Sequence, residues 1–153
     1  MSKAKPVSDL EDHLGYWLRG VSNLVSQAFQ RKVEAQGVTV AEWVVLRAIF
    51  AADTLNPSQL AEQLGMTRGA VSKLVDRVAL KGLVLVTAET ADRRFQSLKL
   101  TATGRKLVPV LAALADANDH EFFGVLSAAQ QASLRTLLRE LADQHGVHRP
   151  PVD

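Results

Sequence analysis

Residues 57–77 read P-S-Q-L-A-E-Q-L-G-M-T-R-G-A-V-S-K-L-V-D-R, two short helical patterns separated by three residues. Asn56 stands before it as an N-cap, with Pro57 at the first helical position and Gln59 at the third, so a helix starts here. Leu60, Ala61 and Leu64 form its inward face, and Gly65 ends it. Met66 and Thr67 complete a three-residue turn. Thr67 then caps a second helix whose inward face is Ala70, Val71, Leu74, Val75 and Val78, closed by Gly82. Two short helices joined in this way have the spacing of a helix-turn-helix, which lays its second helix in the major groove of DNA. The outer face of that helix carries Arg68, Gly69, Ser72, Lys73, Asp76 and Arg77, with no bulky apolar residue among them. Arginine and lysine pair with guanine O6/N7 or with phosphate, serine offers an adaptable hydroxyl, and Gly69 lets the backbone come close to the duplex.

A polar outer face alone marks any amphipathic helix at a surface, so the neighbouring text has to decide. Downstream the period changes. Residues 83–86 are aliphatic and β-branched and residues 95–100 alternate, while residues 87–94 between them are polar and charged. Two strands with a connection of about eight residues make a hairpin longer than a tight turn requires, which gives its tip a task of its own. Arg93 and Arg94 at that tip suit the narrow, strongly negative minor groove, and Asp92 is placed to orient an arginine through a bidentate pair.

The charge supports this reading once it is divided along the chain. The 153 residues sum to only +2, which on its face argues against a nucleic-acid partner. Residues 1–66 carry −1, residues 107–153 carry −3, and residues 67–106 hold nine Lys and Arg against three acids, for +6. A DNA-binding footprint is local, and half of the 18 basic residues lie in this segment.

Long helices flank the motif. Leu10, Leu14, Trp17, Leu18, Val21, Leu24, Val25, Ala28, Phe29 and Val33 recur at three- and four-residue steps, as one buried stripe on a helix roughly 36 Å long would. Gly37 closes that helix. Thr39 with Glu42 forms a capping box for the next, flanked by a hydrophobic staple of Val38 and Trp43, and the helix breaks near residues 53–56. Thr101 caps a long helix that contains Pro109. Because proline lacks a donor for the carbonyl of residue 105 and crowds it, a bend is expected there rather than a stop. Ser127 with Gln130 opens the last helix, striped by Ala132, Leu134, Leu137, Leu138 and Leu141. Its end frays into residues 147–153.

At 47% hydrophobic residues and a mean hydropathy of +0.03, the chain can bury the core of about one domain, and disorder is excluded as its main state. With no cysteine, disulfides, thiolate metal sites and cysteine nucleophiles are excluded. No apolar run reaches the roughly 18 residues of a membrane span and no signal-peptide pattern opens the chain, so a cytoplasmic location is expected. No G-x-S-x-G, phosphate-binding glycine loop or H-E-x-x-H is present, and no enzyme is expected. In the run Asp116, Asp119, His120 and Glu121 the last three diverge by about 100° per residue and cannot converge on one ion, though Asp116 with His120 could. No metal or other cofactor is expected. The competing readings are a helical protein-interaction module with a basic hairpin and a metal-sensing regulator.

In order and spacing, V-T-V-A-E-W-V-V-L at 38–46, the stretch at 57–77, A-D-R-R at 91–94 and L-T-A-T-G-R at 100–105 resemble the multiple-antibiotic-resistance-regulator (MarR) family of winged-helix transcription factors. The resemblance implies a mostly α fold with a small β-hairpin wing. A winged helix-turn-helix DNA-binding domain at 38–101 would lie between an N-terminal dimerisation helix at 8–36 and C-terminal dimerisation helices at 102–146, followed by a flexible tail at 147–153. It implies a homodimer on a palindromic operator, with Arg68, Ser72, Lys73 and Arg77 on the recognition helix, Ser58 on a phosphate, and Arg94, oriented by Asp92, in the minor groove; Thr67, Gly69 and Arg93, read from the residues themselves, complete the candidate DNA-binding set. Many members are repressors released by small aromatic acids or phenols. The candidates to bind such an effector are His13, Tyr16 and Trp17, three ring-bearing residues within five positions, together with Trp43. Peroxide-sensing members use a thiol, a route closed to a chain without cysteine.

Overall fold

In a computed structural model that describes residues 6–88 and 96–147, the chain runs through α1 (Leu14–Glu34), α2 (Val40–Ala52), α3 (Pro57–Leu64), α4 (Arg68–Leu80), β1 (Val84–Ala88), β2 (Gln96–Leu100), α5 (Ala102–Phe123) and α6 (Ala128–Gln144). The fold class is therefore mostly helical with one antiparallel hairpin, in the register Val84↔Leu100 to Ala88↔Gln96. Local chemistry sets most boundaries. Thr39 with Glu42, Asn56 with Gln59 and Ser127 with Gln130 each form a reciprocal capping box, and Thr67 and Thr101 accept from the amides of Ala70 and Gly104.

The core lies inside the winged helix. Leu46 and Ile49 of α2, Leu60 of α3, Val71 and Val78 of α4 and Leu98 of β2 are all fully buried. The long helices reach this core at one end only, through Val33 of α1 and Val108 and Leu111 of α5. Asn118 of α5, itself buried, ties the two together. It donates through Nδ2 to the Val25 carbonyl at 3.2 Å and accepts from Lys32 Nζ at 2.8 Å, while Lys32 also pairs with Glu121.

Four expectations need correction or extension. The stripe on the first helix is not buried along its length. Only Ala28 and Val33 are buried, whereas Leu14 is 88% and Leu24 61% exposed, because the described residues leave every side chain from Leu14 to Leu24 open to solvent. The helix also starts later than Leu10. Residues Leu10–Asp12 form a separate 3-10 turn, held by Asp12 Oδ2 accepting from the Asp9 amide, and α1 begins at Leu14. The first strand begins at Val84, one residue late, because the Leu83 amide still closes α4 onto the Val78 carbonyl. Finally, the chain between α2 and α3 is more than a break. Leu55 exchanges both backbone hydrogen bonds with Leu98 and adds a third, one-residue rung beside the hairpin. Helix α5 continues through Pro109, and both Pro109 and Arg105 are exposed.

Candidate nucleic-acid interface

The turn between α3 and α4 is built from backbone closures. The Met66 amide bonds back to the Ala61 carbonyl and the Gly65 amide to that of Glu62, which requires the left-handed φ of +63° that Gly65 adopts. Thr67 then starts α4 at once, its Oγ1 3.2 Å from the Ala70 amide. Val71, Leu74, Val75 and Val78 lock one side of α4 into the core. The opposite side is thereby turned outward, and Arg68, Gly69, Ser72, Lys73, Asp76 and Arg77 are all exposed. Among the described residues no carboxylate pairs with Arg68, Lys73 or Arg77. Such a face presents cationic and hydroxyl donors on a surface one helix wide, the requirement for entering a major groove.

The remaining members of the expected site fall in different places. Ser58 is exposed in the first turn of α3, next to the amides that a helix start leaves without partners. Asp92, Arg93 and Arg94 lie outside the described residues; on either side of them in the sequence β1 ends at Ala88 and β2 begins at Gln96, which face one another across the hairpin. Not every basic residue of the +6 segment is free to meet DNA. Lys81, at the C-terminal end of α4, donates to Glu42 Oε2 at 2.7 Å and to the Gly37 carbonyl at 2.8 Å. Arg105 stands 3.5 Å from Asp53 and 5.7 Å from the centre of the Phe50 ring. Both partners lie far away in the sequence, so no local pattern reveals them.

The residues expected to bind an effector form two groups. Tyr16 and Trp17 meet edge to face with ring centres 5.6 Å apart, and each remains about half exposed. The polar atoms of this group turn to the chain itself. Trp17 Nε1 donates to the Glu11 carbonyl at 2.9 Å and His13 Nδ1 to that of Asp9 at 2.9 Å, folding the preceding turn onto α1. Trp43 instead packs half-buried against the winged-helix core. A cavity of about 430 Å³ opens elsewhere, between α5 and α6. Phe123, Leu134, Leu138 and Ala142 line it, with Arg135, Arg139, Asp119 and Asp143 around it.

Comparison with known proteins gives this geometry its relatives. A model of the MarR family matches residues 36–94. The transcriptional regulator HosA of Escherichia coli is 30% identical over 108 residues, which span 71% of this chain and 80% of HosA. Among solved structures, Bordetella bronchiseptica BpsR, studied for the regulation of its DNA binding by 6-hydroxynicotinic acid, is similar with a TM-score of 0.75 at 25% identity. That match covers 90% of this chain and 99% of BpsR. A mutant of E. coli MarR complexed with operator DNA is similar with a TM-score of 0.73 at 26% identity, covering 88% and 99% of the two chains.

Proposed function

The chain belongs to the MarR family of transcriptional regulators, and from that premise we propose that it is a ligand-responsive repressor that binds a palindromic operator as a homodimer. Residues 8–36 and 102–146 make the dimer and residues 38–101 read DNA; the expected tail at 147–153 falls, but for Val147, outside the described residues. In each protomer the start of α4 enters the major groove. Arg68, Ser72, Lys73 and Arg77 contact bases and phosphates, Thr67 and Gly69 allow close approach, and Ser58 meets a flanking phosphate. Asp92, Arg93 and Arg94 serve the minor groove. The two half-sites lie about 34 Å apart, one helical turn.

The observation that carries this reading is the exposed cationic face of α4, whose opposite side is fixed in the core. Duplex selection from a random pool, followed by binding at several salt concentrations, tests it. A regulator that neutralises six phosphates gives a log-log salt slope of about −5 together with enrichment of one sequence. Equal binding to every duplex overturns the proposal, and a weak salt dependence would favour a protein-interaction module instead.

The effector is proposed to be a small aromatic acid or phenol that contacts His13, Tyr16, Trp17 and Trp43. BpsR, whose DNA binding responds to an aromatic acid, supports the class, and the half-exposed Tyr16–Trp17 pair offers apolar surface for it. If His13→Ala and Trp17→Phe leave DNA release by 6-hydroxynicotinic acid or salicylate unchanged at saturation, these residues are not the site.

A further inference from the structure

The C-terminal end of the recognition helix is gripped from two sides, by the α1–α2 corner with the first turn of α2 and by the cap of α5. On one side Lys81 Nζ donates to the Gly37 carbonyl at 2.8 Å and to Glu42 Oε2 at 2.7 Å. The same carboxylate oxygen accepts from the Thr39 amide at 3.0 Å. Glu42 is 1% exposed, so its charge is buried and Lys81 is the cation that compensates it. Gly37 and Thr39 form the corner through which α1 turns into α2. On the other side Thr101, the cap of α5, donates through Oγ1 to the Gly82 carbonyl at 2.6 Å, and its amide donates to the Leu83 carbonyl at 3.1 Å.

We propose that Lys81 and Glu42 form the joint that sets the angle of the recognition helix to the α1–α2 corner, and through it the half-site spacing that the dimer accepts. Lys81 is on this reading a positioning residue and not a phosphate contact. The lever arm makes the joint matter. The 13 residues of α4 span about 20 Å, so a tilt of roughly 10° about the gripped end moves Arg68 by about 3.4 Å, one base-pair step. Because α1 carries the exposed apolar face, a change in how two protomers pack reaches the DNA-reading surface through this corner.

The inference rests on the operator reading above, and the test separates the two. The wild-type protein selects a duplex from a random pool, and its affinity is compared with that for the same duplex carrying one base pair inserted between the half-sites. Wild type is expected to bind the inserted duplex at least about tenfold more weakly, as a misplaced half-site loses specific contacts. Lys81→Met and Glu42→Gln are expected to narrow that difference to about threefold or less, with the salt slope on the selected duplex unchanged. Lys81→Arg is expected to restore the discrimination. Were Lys81 a phosphate contact, Lys81→Met would weaken both duplexes alike and flatten the slope by about 0.9. Were the pair merely structural, the active fraction would fall and the discrimination would stay at the wild-type value. Either result overturns the proposal. Glu42→Gln keeps the shape and lies beneath the surface, so it decides the matter if Lys81→Met folds poorly. A wild-type protein that enriches no two-half-site duplex refutes the operator reading itself, and the joint falls with it.

Discussion

The winged helix and the helical ends share one sequence signature, the amphipathic stripe, yet the chain treats them in opposite ways. In α2, α3 and α4 the striped residues meet one another, and Leu46, Ile49, Leu60, Val71 and Val78 are fully buried. In α1 and α6 they stay open: Leu14, Leu18, Leu24, Leu137 and Leu141 are all exposed, and no residue of α6 is buried. Periodicity specifies an apolar face without specifying what covers it. The winged helix finds its cover within the chain, whereas the apolar surface of the long helices is left for the proposed second copy to cover. The cationic face is thus carried by the part whose core is closed, with Val33, Val108 and Leu111 of the long helices completing it, while the rest of α1 and α6 keeps its apolar face open.

The largest effect on the open helical ends is expected from Leu18→Asp. Burying a leucine contributes roughly 1.5–3 kcal/mol, and a symmetric interface contains the residue twice, so association should weaken by at least about 3 kcal/mol. That is more than a hundredfold in the dimer dissociation constant, visible by sedimentation, and operator binding should fall with it. An unchanged dimer would mean that this face of α1 is covered by something else. The winged helix should show the contrasting behaviour in Gly104→Ala. A methyl group at Gly104 would collide with the Leu83 carbonyl oxygen, a backbone atom that cannot swing aside. The expected cost is about 3 kcal/mol, the upper range for overpacking, seen in urea unfolding and independent of protein concentration. A glycine in a helix interior normally gains from replacement by alanine, so the sign itself is diagnostic.

These two positions also show what was legible in the sequence. The helix starts were legible because a capping box is complete within four residues: Thr39 and Glu42, Asn56 and Gln59, Ser127 and Gln130 find each other in any context. The outward face of α4 was legible because the inward one is apolar at helical spacing. Partners brought together by the fold were not. Gly104 reads as an ordinary glycine until the Leu83 carbonyl lies against it, and Lys81 reads as one more basic residue until Glu42 arrives from 39 positions away. Leu55 pairs with Leu98 over a comparable separation and has no local signal at all. The stripe of α1 alone did not say what covers it, since a stripe for a partner chain and a stripe for the chain's own core look alike; the family resemblance marked residues 8–36 as a dimerisation helix.

Within the winged helix, function and folding should also come apart. Arg68→Ala removes an exposed side chain, so the unfolding midpoint should stay put while discrimination between the selected duplex and a shuffled one falls by about 1–3 kcal/mol. Anisotropy titrations with both duplexes give the answer. If the two affinities fall equally, Arg68 touches phosphate and not a base.

The smallest effect, and the finest cut, is expected from Gly69→Ala. Gly69 lies in the first turn of α4, is exposed, and a methyl group there would meet nothing within 4 Å. For folding alone, alanine is the better residue, because it limits the unfolded chain and favours the helix by a few tenths to about 1 kcal/mol. The space beside Gly69 is thus not needed by the protein's own packing. If it is needed by DNA, Gly69→Ala should raise the thermal midpoint and lower operator affinity together, two shifts of opposite sign from one methyl group. A higher midpoint with unchanged affinity would show that the backbone does not come close to the duplex at this point, and would move the groove contact along α4 toward Ser72 and Lys73. The same substitution at Gly104 is expected to fail in the core and here to fail only against a partner, which sets a surface kept open for a ligand apart from one closed by the chain itself.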